Sequence, residues 1–313
     1  MRATFRYVFL ITATALGLTS CSRAGTPPSA QRTFPTPDAA AQALARAVSG
    51  NDTTELLAIM GPDSRSLIMQ SDPVEAQHDG QVVAAAMAER WWLEGSDSAS
   101  RTLVMGNESW PFPIPIVRTN GSWRFDTAAG KEEVLHRRIG ANENAVIGVA
   151  GAFVDAQREY ASAGHDAKPK GTYAQRVLST PGRQDGLYWS VSDSTKRQSP
   201  MGPLAAEAAA DGYKASDAAK NPYHGYYFRI LTAQGTSAPG GARSYVANGA
   251  MRGGFAMIAW PADYGASGIM TFMVGPDGVV RQKDLGPDTK TLAPAVAAYD
   301  PDSTWTVTMA ATS

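Results

Sequence analysis

The sequence predicts an α+β protein: N-terminal helices with a small antiparallel sheet, then a long helix packed on a C-terminal antiparallel sheet. Three observations predict it. Apolar residues recur at helical spacing in three capped segments between residues 36 and 95, and the pattern then switches to short strand-like runs across 101–126. A long amphipathic segment at 142–163 precedes a glycine-rich, strand-like remainder.

The elements follow in order. Residues 1–6 contain Arg2 and Arg6 and no acid, residues 7–18 are apolar but too short to span a bilayer, and Thr19 and Ser20 are small. That order makes residues 1–20 an export signal. Residues 21–35 have no periodicity and are rich in Pro, Ser and Ala, as a flexible tether is. Thr36-Pro37-Asp38 is an N-cap with Pro at the first helical position, ahead of Ala41, Leu44 and Val48 and a stop at Gly50. Asp52 with Glu55 forms a second capping pattern before Leu56, Leu57 and Met60. Asp72-Pro73-Val74-Glu75 starts a third helix, predicted to end between 91 and 95.

Strands are predicted at 101–107, 111–118 and 122–126, the last two joined by Asn120-Gly121, the favoured pair of a type I′ hairpin turn. Prolines 111, 113 and 115 lack the amide hydrogen of a ladder, so that strand lies at an edge or is irregular. The predicted N-terminal α+β domain is 36–128, followed by a charged connecting helix at 129–141. A C-terminal α+β domain, 142–313, opens with the long helix, whose Val146, Val149, Phe153, Ala156 and Tyr160 share one face. Its predicted strands are 225–231, 254–260, 268–274, 278–283 and 304–309. The stretch 235–254 is too long and glycine-rich for a simple hairpin connection and reads as a functional or mobile loop.

Lys and Arg number 28 against 29 Asp and Glu, so the chain has no positive field to draw a phosphate backbone, which excludes general nucleic-acid binding. One cysteine allows no internal disulfide and no Cys-rich metal site. That cysteine stands in Leu18-Thr19-Ser20-Cys21, which resembles the lipobox of bacterial lipoproteins. The resemblance implies that the Cys21 sulfur receives a diacylglyceryl group and that the leader is cut before it. Each buried CH₂ of such chains contributes about 0.8 kcal/mol to membrane attachment. Ser22, in place of the aspartate that favours inner-membrane retention, implies the outer membrane, facing the periplasm.

The runs WPFPIPIVRTNGSWRFDTAAGKEEVLHRRIGANENAVIGVAGAFVDAQREYA, QDGLYW, PYHGYYFRIL and GFAMIAWPADYGASGIMTFMVGPDGVVRQKDLG resemble the bacterial domain of unknown function 2950 family. The likeness covers nearly all of the chain after the leader. The family has no assigned reaction, so no catalytic residues carry over from it. A second likeness, of the helix around Phe153 to Tyr160 with GYYFRIL and SGIMTFMVGPDGVVRQ, is to the periplasmic part of type II secretion pseudopilins. It implies one helix packed on an antiparallel sheet. Pseudopilins polymerise through an apolar N-terminal helix, and here a folded domain precedes the helix instead.

No GxSxG, HExxH or Walker A element occurs, and His78, His136, His165 and His224 show no ligand spacing, so neither a metal nor a cofactor is predicted. Tyr223, Tyr226, Tyr227 and Phe228, with Tyr188 and Trp189, concentrate aromatic surface around His224; such rings suit sugar or peptide binding, or they alternate between a strand's core and outer face. Asp185 has Arg183 and those aromatics as neighbours and is either an acid-base partner of His224 or part of an Asp-Gly turn. Arg243 and Tyr245, with Asn248 and Arg252, are candidate polar contacts of a groove beside the 235–254 loop. His136-Arg137-Arg138 reads as a solvated helix face, with acidic lipid or a partner's carboxylates as the alternative.

The function these residues favour is a non-catalytic envelope lipoprotein, held to the membrane by Cys21, that binds or scaffolds an envelope protein or polysaccharide partner. The alternatives are an enzyme acting on cell-wall or exopolysaccharide material, and an accessory to pilus or secretion assembly.

Overall fold

The computed structural model describes residues 31–191, 198–214 and 221–308, and its fold is α+β. The export signal, Cys21, Ser22 and most of the tether lie outside the described residues, as does Met309 at the end of the last predicted strand.

The N-terminal half begins with four helices: α1 (Pro37–Ser49), α2 (Thr53–Met60), α3 (Arg65–Ile68) and α4 (Pro73–Glu89). Three of them start as their sequences dictate. Thr36 Oγ1 accepts from the Ala39 amide at 3.1 Å, Asp52 from Glu55 at 2.9 Å, and Asp72 from both Val74 and Glu75. These caps satisfy amides that a helix start leaves without intrahelical acceptors. The third predicted helix ends earlier than expected, at Glu89, and Trp91–Glu94 is a strand, β1. Its tryptophans and leucine pair with β2 (Ser100–Met105), Leu93 opposite Leu103, so cross-strand packing prevails over continuation of the helix.

The predicted strand at 111–118 is split into β3 (Trp110–Pro111) and β4 (Ile116–Thr119), because Pro113 and Pro115 donate nothing to a ladder. A hairpin joins β4 to β5 (Ser122–Phe125) through Asn120 and Gly121, both with positive φ, at 51° and 81°. Leu44, Ile59, Leu103, Ile116 and Phe125 fill the core between these helices and strands.

Helix α5 (Thr127–Ala163) corrects the predicted break at residue 141: the connecting helix and the long helix are one element of 37 residues, about 55 Å long. Gly140 costs about 1 kcal/mol inside a helix relative to Ala, too little to interrupt a segment anchored at both ends. The first half packs on the N-terminal elements, where Gly130 lies so close to Ile114 that a Cβ would fall 2.5 Å from the Pro113 carbonyl oxygen. The second half lays Val146, Val149 and Phe153 into a separate core.

That second core is built on a five-stranded antiparallel sheet. Its strands are β6 (Tyr226–Leu231), β11 (Ala256–Pro261), β12 (Met270–Val274), β13 (Val280–Asp284) and β14 (Thr306–Val307), in the order β14-β13-β12-β11-β6. Two short pairs lie inside the predicted loop 235–254 and at its edge: β7 (Ala233–Gln234) with β8 (Arg243–Ser244), and β9 (Val246–Ala247) with β10 (Ala250–Met251). Three helices went unpredicted, the four-residue α3 and, in this half, α6 (Gly202–Ala210) and α7 (Thr289–Ala295), the last lying against β11. Along β6 the side chains alternate: Tyr226 turns to Glu143 of α5, whereas Arg229 donates to the Pro294 and Val296 carbonyls at the end of α7.

Candidate functional site

A half-open cavity of about 870 Å³ lies where the two halves meet. Its floor is Val149 and Phe153 of α5 with Phe228, Ile230 and Met257 of the sheet. One wall is segment 175–178 with Tyr188. This wall is fixed to α5 by Gln157, which donates to the Ala174 carbonyl at 2.8 Å and accepts from the Ala174 amide at 2.9 Å. The opposite wall is α6, through Leu204, Ala205 and Ala208. The end is closed by Asp72, Pro73 and Val74 at the start of α4, against Tyr213 and Tyr223. Most of the lining is apolar; charge enters at Asp72, Arg176 and Lys214.

The closed end is also a polar clasp between the halves. Asp72 Oδ2 accepts from the Tyr213 hydroxyl at 2.8 Å and the Gly225 amide at 3.2 Å, while its Oδ1 caps α4. The Tyr213 hydroxyl lies 3.1 Å from Glu75 Oε2, and His224 Nδ1 lies 3.3 Å from the same oxygen. His224 and Gly225 are the two central residues of a tight turn: Tyr223 and Tyr226 exchange both backbone hydrogen bonds around them. The φ values of 47° and 69° are those of a type I′ hairpin, which is why the glycine follows the histidine.

The clasp moves pKa values in complementary directions. The hydrogen bond from His224 lowers the Glu75 carboxyl against the opposing effect of burial. Burial works against the His224 imidazolium, but its bond to Glu75 and the carboxylates of Glu75, Asp211 and Asp72 outweigh burial and raise its pKa. Burial, with Asp72 beside it, raises the Tyr213 phenol, and burial with the Glu207 and Asp211 carboxylates pushes Tyr223 up to about 12. Both phenols stay neutral at physiological pH and serve as hydrogen-bond donors and apolar surface.

A family model described as a protein of unknown function (DUF2950) matches residues 31–308. The chain belongs to the DUF2950 family. No curated protein and no solved structure matches it, so the likeness to pseudopilins finds no support there.

The DUF2950 chain scatters the residues its sequence singles out. Tyr188 and Tyr223 line the cavity, and His224 stands at its closed end through the clasp. Tyr226 is fully buried with its hydroxyl donating to the Met270 carbonyl at 3.0 Å, so it is a core residue and the alternation along β6 accounts for it. Trp189 and Tyr245 are also core residues, and Arg243 is exposed on β8, so no groove gathers Arg243 and Tyr245. Asp185 closes its own turn, accepting from the Thr180 amide at 2.7 Å and hydroxyl at 2.8 Å, with Arg176 at 3.7 Å. It shares no partner with His224, whose carboxylate partner is Glu75 instead. Arg138 is not on a solvated face: its side chain is 8% exposed.

Sequence reasoning missed Glu75, Tyr213 and the whole α6 wall. Gly202-Pro203 ahead of an alanine-rich run is a legible helix start, whereas nothing in the spacing of Glu75 and His224 announces their meeting. Among the described residues no helix is long and apolar enough to cross a membrane, and no three His, Cys, Asp or Glu side chains converge as a metal-ion set.

Proposed function

We propose that the chain is an exported lipoprotein, anchored through Cys21 in the outer membrane and facing the periplasm, that binds a ligand with a large apolar part without chemically changing it. The observation that carries the reading is the cavity of about 870 Å³ with apolar walls. It falls within the roughly 300–1,000 Å³ of small-molecule sites that combine apolar walls with a few polar groups. Its binding energy comes from apolar area, at about 25 cal/mol per Å² removed from water. A polysaccharide suits these walls less, because its hydroxyls would lose water against Val149, Phe153 and Met257 without gaining partners. The Glu75–Tyr213–His224 clasp holds one end of the cavity shut and gives the ligand a preformed site.

Titration of the purified protein with a fluorescent long-chain fatty acid tests the reading. One saturable site is expected, and Ala205→Trp, which places an indole in the cavity from α6, should weaken it by at least about tenfold, or 1.4 kcal/mol, at unchanged melting temperature. Saturable binding of glycan fragments in place of the fatty acid, or indifference to Ala205→Trp, would overturn it. For the anchor, a palmitate analogue should label the protein in cells, and Cys21→Ala should abolish the label; an unchanged label removes the lipoprotein part of the proposal.

A further inference from the structure

A second cleft, of about 160 Å³, lies elsewhere along the junction, between segment 66–71, Arg138 of α5 and the turn at 263–267 ahead of β12. Its polar lining is Ser66, Gln70, Ser71, Arg138, Asp263 and Ser267. Arg138 is the unusual member. Its side chain is 8% exposed, yet a single hydrogen bond holds the guanidinium, from Nη2 to the Leu67 carbonyl at 2.8 Å. The Nε atom is buried with no hydrogen-bond partner. Asp79 Oδ2 stands 3.9 Å from it, beyond hydrogen-bond distance, and that oxygen already accepts from Gln70 Nε2 at 2.7 Å.

A guanidinium carries five donors in a planar fork that matches a carboxylate, and buried donors without acceptors are rare in folded proteins. The fork therefore lacks its complement. A bare dianion such as phosphate is a poor one, because Asp79 and Asp263 already supply negative charge around the single arginine. Asp263 is exposed at the cleft and its carboxylate bonds to no described residue; its backbone alone is engaged, the amide donating to Ser267 Oγ at 3.0 Å and the carbonyl accepting from the Ala266 and Ser267 amides and the Ser267 hydroxyl. The cleft thus presents a donor fork, an unpaired carboxylate and the hydroxyls of Ser66 and Ser71. A cavity of about 150 Å³ admits a molecule the size of benzene, so the volume suits a compact ligand.

We infer that this cleft binds a small free α-amino acid, its carboxylate on the Arg138 guanidinium and its ammonium on Asp263. The zwitterion adds no net charge to the site, which is the physical reason to prefer it over a simple anion. It does not rest on the large cavity, whose lining shares no residue with the cleft.

Calorimetric titration of the purified full chain with glycine, L-alanine and L-serine, against acetate and inorganic phosphate, tests the inference. Saturable binding of at least one amino acid is expected, with acetate and phosphate weaker by about tenfold or more. Asp263→Asn, in an exposed turn, should weaken the amino acid by about tenfold at unchanged melting temperature, and Ala205→Trp should leave it untouched. Absence of amino-acid binding by the wild-type chain overturns the inference. So do equal binding of acetate or phosphate, and an Asp263→Asn variant that binds as the wild type does.

Discussion

Two clusters of buried charge join the same two halves of this molecule, and they are finished differently. In the clasp, Asp72 is 2% exposed and accepts from three backbone amides and a phenol, while Glu75 accepts from Tyr213 and His224. In the cleft, Arg138 is nearly as buried but makes one hydrogen bond, and its Nε makes none. A satisfied buried charge contributes to holding two units together, because breaking it strands every partner at once. An incompletely paired one contributes less to holding the halves together, because fewer partners depend on it.

The largest effect is expected at Asp72. Asp72→Ala removes a helix cap, leaves the Gly225 amide without an acceptor and leaves the Tyr213 hydroxyl with Glu75 alone, an expected loss of about 3 kcal/mol in urea denaturation. A variant as stable as wild type would show that the clasp is ornamental. Gly225→Ala comes next: φ is 69°, and a Cβ would meet Asn142 Nδ2 at 2.7 Å and Ser267 Cβ at 2.8 Å. About 2 kcal/mol is expected, from overpacking added to a left-handed backbone. Tyr213→Phe, which keeps the ring and removes the shared hydroxyl, should cost about 1 kcal/mol.

A smaller effect is the pH dependence of the clasp. His224 has a raised folded pKa, so its contribution is full below the ordinary imidazole value of about 6.5 and is lost as pH rises through the raised value. Glu75 has a lowered one, so its contribution is full above the ordinary value of 4.5 and is lost as pH falls through the lowered value. The clasp is strongest between those limits, in mildly acidic solution. His224→Asn, which tolerates the turn's positive φ, should flatten the alkaline side of a stability–pH profile; an unchanged slope there would assign the slope to other groups. The smallest expected effect is at Arg138→Met, which should stay within about 1 kcal/mol of wild-type stability, since an apolar side chain of similar length replaces an incompletely paired charge. A loss as large as that of Asp72→Ala would place the two clusters in one class.

Much of the local structure was legible. The caps at Thr36, Asp52 and Asp72 and the turn at Asn120-Gly121 form as their residues require. The same Asn-Gly signal stood at Asn248-Gly249, inside the stretch read as a long loop, and it makes the same hairpin between β9 and β10, with φ of 51° and 72°. His224-Gly225 is a third instance, with histidine in the left-handed position that asparagine more often fills. Of the candidate site, Tyr188 and Tyr223 were named and do line the cavity, but Tyr226 and Tyr245 looked the same in the sequence and are core residues. An aromatic residue next to a turn carries no mark of which side of the strand it will face until the sheet is assembled.

The sequence by itself determined where helices start and where hairpins turn, because caps, prolines and Asn-Gly pairs act on backbone groups within a few residues of themselves. It did not determine which charges meet. Glu75 and His224 are 149 residues apart, and their contact exists because α5, continuous through Gly140, carries one core on its first half and another on its second. The same placement buries Arg138, in a run that reads as a solvated face, between the halves. Burial depends on what packs across a residue, and only the assembled cores fix that.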